Sequence, residues 1–283
     1  MITVIIPTYN RSKLLNQTIQ NVLQQSYQPS SIIIIDDCST DNTESVVKSY
    51  QNNSLCYIKN QKRLGTTQSR IKGLKLTKTK WIAFLDDDDK WHINKLKLQY
   101  EKIKLNKADF VISDYYINHF NKSKSRYVSM EKFALNYNKN IISSPGPFFQ
   151  CCLFSRHFLI KNIDLFDERS EPSEDWDFFI SIAHNKLKIE YINQALFYWV
   201  YSKKSQSFNK KREFRALEYI AKKHKNKISS IGGKSALSLH YRRLGFLIKQ
   251  KNIRLYKKYY KQAFIYNPLN IKNIYFYLKS RKI

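Results

Sequence analysis

Glycine and proline are scarce in this 283-residue chain, six of each, which excludes a collagen-like, low-complexity or loop-dominated protein. Few breaks mean long elements. No internal repeat of fixed period is present, so solenoids and propellers are set aside. The four cysteines, Cys38, Cys56, Cys151 and Cys152, show no Cys-x-x-Cys spacing, and the adjacent pair suits no ordinary bridge between elements. They read as reduced thiols. No hydrophobic run reaches the ~18 residues that span a bilayer, and the apolar stretch from Met1 to Pro7 is too short for a signal peptide. A cytoplasmic protein is expected, peripheral at most at the inner face of a membrane.

Negative charge is nearly missing from the end of the chain. From Lys203 to Ile283, 23 Lys and Arg face only Glu213 and Glu218, a surplus of 21 out of the formal net charge of +28. Such a segment is expected to attract an anionic partner: a membrane surface, nucleic acid or a negatively charged substrate. A Lys-rich and Asn-rich coding bias is the bland alternative.

What is present is apolar and aromatic. A hydrophobic content of 42%, with 20 Tyr and 17 Phe, supplies a substantial core and excludes disorder of the whole chain. The most informative stretch is Trp81 to Trp91. Its apolar run, Trp81-Ile82-Ala83-Phe84-Leu85, reads as a buried strand and delivers four successive carboxylates, Asp86, Asp87, Asp88 and Asp89. Like charges this close repel, so the cluster is expected past the strand's last ladder bond, where a cation compensates it. An Asp-x-Asp pair such as Asp86 and Asp88, sharing one face, offers the hard oxygen ligands that Mg2+ or Mn2+ prefers. A solvated acidic turn is the alternative for the cluster taken alone.

The rest of the chain extends the pattern. Ile2 to Ile6 reads as a strand that ends at Pro7-Thr8-Tyr9-Asn10-Arg11-Ser12, and Leu14, Leu15, Thr18, Ile19, Val22 and Leu23 then follow helical spacing, with Ser12 as N-cap. Ile32 to Ile35 fits a strand buried on both faces, as in a βαβ unit. Asp36 and Asp37 close it, where open α/β sheets bind ligands. A helix over Thr43 to Tyr50, a strand over Leu55 to Ile58, a loop over Asn60 to Gly65 and a helix over Thr67 to Leu76 carrying Arg70 lead to the acidic stretch. Strands whose ends release polar residues, two of them paired carboxylates, point to one nucleotide cleft.

In order and spacing, Ile5-Ile6-Pro7-Thr8-Tyr9-Asn10-Arg11, Asp36-Asp37-Cys38-Ser39-Thr40-Asp41, Asn60 with Gly65, Ser69-Arg70 and Phe84-Leu85-Asp86-Asp87-Asp88-Asp89 resemble the family 2 glycosyltransferases. The resemblance covers about the first 205 residues. It implies the GT-A fold and an inverting sugar transferase that uses a nucleoside diphosphate sugar and a divalent metal, Mn2+ or Mg2+. It also implies that Pro7, Thr8, Tyr9, Arg11, Asp36 and Asp37 hold the nucleotide, with Asp37 at the base. Asp86 and Asp87 would approach the sugar nucleotide, Asp88 with Asp86 would take the metal, and Arg70 would approach the diphosphate. The family favours UDP.

Farther along, Ala108 to Ser113 is expected as a strand ending at Asp114, Tyr116 to Asn140 shows no organisation, and Phe148 to Phe154 reads as a strand where the family meets its acceptor. Glu174-Asp175 opens an amphipathic helix and resembles the family's Glu-Asp signature. An inverting transfer needs one base for the acceptor hydroxyl, so Asp175 is expected as that base and Glu174 as its neighbour or an acceptor contact. Helix capping by Ser173 and its acidic followers is the alternative. Leu187 to Tyr201 is expected as a final strand pair. There the chain departs from the family: Trp199, Val200 and Tyr201, then Lys203 and Lys204, stand where Arg and His are common, and either lysine would have to neutralise phosphate.

The expected architecture is α/β, a mixed and mainly parallel sheet flanked by helices over residues 1–205, followed by a basic helical region over 206–283. The expected function is transfer of a sugar from a UDP-sugar to a glycan or lipid-linked acceptor in cell-surface polysaccharide synthesis, with an anionic membrane surface as a further partner. Two alternatives stand beside it. A sugar nucleotidyltransferase would open with a glycine-rich loop, and Pro7 to Ser12 contains no glycine. A basic nucleic-acid-binding protein is suggested by the tail, but no helix-turn-helix, zinc-finger or RNP pattern supports it, and no nucleic acid is expected.

Overall fold

The computed structural model describes residues 1–119, 125–184, 186–201, 209–248 and 252–282. They fall into two compact units that are not contiguous in sequence. The first holds Met1–Leu135, Pro147–Glu168 and Asn185–Lys203; the second holds Asn136–Gly146, Arg169–His184 and Lys204–Ile283.

In the first unit, β-branched and aromatic runs build a parallel half-sheet from β1 (Ile2–Thr8), β2 (Ser31–Asp36), β3 (Leu55–Lys59) and β4 (Trp81–Phe84). β1 lies between β2 and β4, with Val4 opposite Ile32 and Ala83. Ile32 to Ile35 are buried, as a strand covered on both faces requires. The crossovers are α1 (Ser12–Leu23), α2 (Thr43–Lys48) and α3 (Thr66–Leu76). α3 packs against β1 and β2 at Gly73, where a Cβ would stand 2.5 Å from Ile5 Cγ2, so only glycine allows this approach. Arg11, not Ser12, occupies the N-cap position of α1. The N–H of Ser12 donates instead to Asp41 Oδ2 at 3.0 Å, which ties the helix start to the second loop.

The second half of the sheet is mixed. It comprises β5 (Lys90–Trp91), β6 (Phe110–His119), β7 (Arg126–Val128), β8 (Cys152–Ser155) and β9 (Ile189–Tyr201), with α4 (Lys95–Asn106), α5 (Glu131–Leu135) and α7 (Arg156–Lys161) beside it. The strand order is β3-β2-β1-β4-β8-β6-β9-β5, with β7 on β6. β8 runs antiparallel to β4 and β6, and β6 and β9 are parallel. Three expectations are corrected here. The expected pair over Leu187 to Tyr201 is one long strand, Ile189–Tyr201, because Asn193 and Gln194 are absorbed where the register against β6 jumps from Ile192 to Ala195, a bulge in place of a turn. β6 runs past Asp114 to His119 because β7 and β9 both pair with its second half. Phe149–Cys151 is a short 3-10 turn, and strand pairing starts only at Cys152.

The second unit is helical: α6 (Tyr137–Ile141), α8 (Glu174–Ser181), α9 (Lys210–Lys223), α10 (Lys225–Ile248), α11 (Ile253–Tyr266) and α12 (Ile271–Arg281). α10 is interrupted at Gly233, whose φ of 64° is left-handed. Asn209, Asn252 and Asn270 cap α9, α11 and α12 by accepting from backbone N–H groups of the first turn. Tyr256 and Tyr259 are buried, and Phe264 stacks on Tyr277 at 4.8 Å, so these rings pack helix on helix. The Glu-Asp helix α8 belongs with these basic helices. Buried Asp177 accepts from Lys223 Nζ at 2.6 Å and pairs with His224 Nε2 at 2.7 Å, and Trp176 stacks on His240 at 4.9 Å.

Candidate functional site

The parallel strands β2 and β4 end in acidic loops on either side of the β1 loop. At the end of β2, Asp36 is fully buried; its Oδ1 accepts from the N–H of Ser39 at 2.8 Å and its Oδ2 from the Tyr57 hydroxyl at 2.5 Å. Asp37 binds the loop that follows β3. Its Oδ1 accepts from Asn60 Nδ2 at 2.9 Å and the N–H of Leu64 at 2.7 Å, and its Oδ2 from the N–H of Gly65 at 2.8 Å. Gly65 has φ 90°, a conformation glycine alone takes without strain, and it stands at the N-cap of α3. A carboxylate oxygen accepts two bonds, and Asp37 Oδ2 has one donor among the described residues.

The β1 loop is zipped to the same region. The N–H of Asn10 donates to Ser39 Oγ at 2.8 Å, and Asn10 Oδ1 accepts from the N–H of Thr40 at 2.8 Å. The Arg63 guanidinium covers the Tyr9 ring at 4.1 Å, a cation–π contact. Pro7 and Thr8 are buried at the strand end, and Thr8 Oγ1 donates to Asp87 Oδ2 at 2.7 Å.

Past β4, the four aspartates turn back on themselves, and the N–H of Asp89 donates to Asp86 O at 3.2 Å. They lie beyond the last strand bond, as expected. Arg70, only 1% exposed, donates to Asp86 Oδ1 at 2.6 Å, and Gln150 Nε2 donates to Asp86 Oδ2. Arg11 Nη1 bridges Asp87 Oδ1 and Asp88 Oδ2, each at 2.8 Å. Asp89 Oδ1 accepts from the N–H of Val200 at 3.0 Å. Arg11 and Arg70 are thus both engaged with the acidic loop, and Arg70 is a buried ion-pair partner, not a surface cation.

Two guanidinium groups face four carboxylates, and the deficit shows in their protonation. Burial and the neighbouring Asp87 raise Asp88 to about 7, against the pull of Arg11. Burial likewise raises Asp87, although Arg11 and Thr8 oppose it, and burial with Asp88 raises Asp89 well above the usual carboxylate range. Arg11 is itself raised: burial disfavours its charge, but Asp87 and Asp88 outweigh burial. Among the described residues no group of three or more His, Cys, Asp or Glu side chains converges as for a metal ion. The donor set nevertheless fits a hard divalent cation, because excess negative charge on carboxylate oxygens is what such an ion neutralises. Asp86 and Asp88, at 29% and 18% side-chain exposure, are the reachable members, whereas Asp87 is at 5%.

Sequence reasoning missed three contributors. Gln150 lies within a run read as plain strand; no local pattern marks it, because β8 comes beside β4 only through sheet order. Tyr57 and Arg63 are aromatic and basic residues of a kind abundant throughout the chain. Glu174 and Asp175 open α8 in the second unit, with Ser173 at the N-cap position and no side-chain cap bond. The Lys203 and Lys204 expectation lies outside the described residues.

Comparison with known proteins places this geometry. The chain is 31% identical over 139 residues to a UDP-Glc:alpha-D-GlcNAc-diphosphoundecaprenol beta-1,3-glucosyltransferase of Escherichia coli, a match that covers 49% of this chain and 54% of that protein. The chain spans about half the length of the first curated relatives it matches. Among solved structures, Staphylococcus aureus TarS residues 1–349 with UDP-GlcNAc superposes with a TM-score of 0.67 at 20% identity, covering 99% of this chain and 90% of that one. A Pyrobaculum calidifontis mannosyltransferase with GDP-Man and Mn2+ superposes with a TM-score of 0.60 at 15% identity, covering 99% and 84%. These likenesses establish the GT-A fold, and neither the nucleotidyltransferase nor the nucleic-acid alternative finds support. The model of glycosyl transferase family 2 matches residues 3–162, more than half of the chain, and the chain belongs to that family.

Proposed function

We propose that the protein is an inverting glycosyltransferase that moves a sugar from a UDP-sugar to a hydroxyl of a glycan or lipid-linked acceptor in cell-surface polysaccharide synthesis. The observation that carries the reading is the pair of acidic loops at the ends of β2 and β4, on either side of the β1 loop, at the carboxyl edge where α/β sheets bind nucleotides. The relatives' names support UDP and a lipid diphosphate acceptor.

In this reading Asp37, through Oδ2, takes the base, and Tyr9, backed by Arg63, packs against it. Pro7, Thr8 and Asp36 hold these groups in place. Asp86, Asp87, Arg11 and Arg70 face the sugar nucleotide, and Asp86 with Asp88 would hold Mn2+ or Mg2+, which when bound neutralises the departing diphosphate. Asp175 takes the acceptor hydroxyl's proton as that oxygen attacks the anomeric carbon and the bond to the diphosphate breaks; Glu174 contacts the acceptor or steadies the base. The basic helices rest on an anionic membrane surface, with Leu269, Ile271 and Tyr275 exposed among lysines.

The test is acceptor-dependent release of UDP from UDP-sugars, using a lipid diphosphate sugar as acceptor and reading the anomeric configuration of the product by NMR. Inverted product is expected. No acceptor-dependent release from any UDP-sugar contradicts the proposal. Asp175→Asn is expected to lower turnover by about 10³-fold or more while UDP binding is unchanged.

A further inference from the structure

The second unit contains a cleft lined by none of the residues assigned to the donor site. It encloses about 270 Å³ and is lined by Leu239, Arg242, Arg243, Phe246, Tyr260 and Phe276, all from α10, α11 and α12. Four of its six lining residues are apolar or aromatic. Tyr260 and Phe276 stack with centroids 5.0 Å apart, and Phe246 is 69% exposed at α10, an unusual place for a large aromatic side chain. Its cations are two adjacent arginines. Arg242 is held in place, because its Nη1 donates to Asn270 Oδ1 and Asn273 Oδ1, each at 3.2 Å, while the rest of the guanidinium fork has no hydrogen bond among the described residues.

Arg243 is the informative one. Its guanidinium lies 4.8 Å over the Trp176 ring, yet its buried Nη1 has no hydrogen-bond acceptor among the described residues. Glu213 is close enough to act on it electrostatically but makes no ion pair with it among the described residues. A buried donor of a charged group without an acceptor is costly, and an anion removes that cost. Guanidinium groups match phosphate oxygens by geometry as well as charge. We infer that this cleft binds the phosphate of an apolar-chain phosphate ester, with the phosphate on Arg242 and Arg243 and the chain against Phe246, Tyr260 and Phe276. The inference deepens the lipid-facing part of the proposed function and leaves the donor site untouched.

The experiment titrates the full chain, in phosphatidylcholine vesicles, with a short prenyl monophosphate, the corresponding prenol, phosphatidylglycerol and inorganic phosphate. Binding that requires both phosphate and chain is expected, and whether the prenyl phosphate or phosphatidylglycerol binds tighter identifies an acceptor-type or a bilayer-type source. Arg243→Gln is expected to weaken that binding about tenfold. Because Arg243 also touches Trp176, Phe246→Glu at the exposed rim serves as a second variant, expected to lose the chain-bearing ligand with unchanged thermal unfolding. Prenol binding as well as prenyl phosphate, inorganic phosphate binding as well as either lipid, or full binding by both variants overturns the inference. UDP titration of the same variants is expected to match wild type, so a failure here is distinguishable from a failure of the transferase reading.

Discussion

The two acidic loops use the same residue type to opposite electrostatic effect. After β2, Asp36 and Asp37 meet only neutral donors, three backbone N–H groups, an amide and a phenol, all within 2.5–2.9 Å. That loop is held in place without a cation among the donors that fix it. After β4, the carboxylates meet guanidinium groups and each other, and burial with mutual repulsion pushes Asp87, Asp88 and Asp89 upward. That loop holds more carboxylates than guanidinium groups to pair them. The difference suits a nucleotide site in which one loop is a fixed frame for a neutral base and the other is finished by a cation and the diphosphate it escorts.

Substitution should separate the two loops by sign. Asp37→Ala removes the acceptor of Asn60, Leu64 and Gly65 together, and is expected to cost about 4 kcal/mol of stability and to abolish UDP binding with or without metal. Chemical denaturation and UDP titration check it. Unfolding like wild type would mean that the first loop is no frame.

The helical unit offers a control outside both loops. Burial lowers His240 from 6.5 to about 4, so the folded state stays neutral where the unfolded chain takes up a proton. The contribution of His240 is complete above pH 6.5 and is lost as pH drops from 6.5 towards 4, by about 3 kcal/mol in all. His240→Gln, which keeps a donor for Ile142 O, is expected to flatten that slope in denaturant titrations at pH 7 and pH 4.5. The smallest effect has the opposite sign to the first. Asp88→Asn at pH 8 without metal relieves repulsion and is expected to stabilise by about 1 kcal/mol, and a rise in Tm with Mn2+ is expected in the wild type but not in this variant. A destabilised, still Mn2+-responsive variant would erase the contrast between the loops.

Much of the frame was legible in sequence because it is written in contiguous residues. Ile32 to Ile35 and Trp81 to Leu85 are apolar runs that end in carboxylates, and the parallel strands follow from the breaks between them. What each carboxylate touches was not legible. Asp37 was visible as a loop-end acid but not as the anchor of the 60–65 loop, and Arg70 was visible as a cation near the diphosphate but not as the buried partner of Asp86. Gln150 reaches Asp86 only because β8 inserts beside β4, a non-local pairing that no local pattern encodes. The same holds for α8. Asp177 marks a helix start in sequence, but its pairing with Lys223 and His224 depends on packing across 46 and 47 residues of chain.

The loop after β4 is expected to be completed by a cation when nucleotide binds. Calorimetric titration of the purified protein with UDP, once with Mn2+ and once with EDTA, tests it most directly. UDP binding at least about tenfold tighter with Mn2+ is the expected result. Equal affinity in Mn2+ and EDTA, or no binding in either, would contradict it.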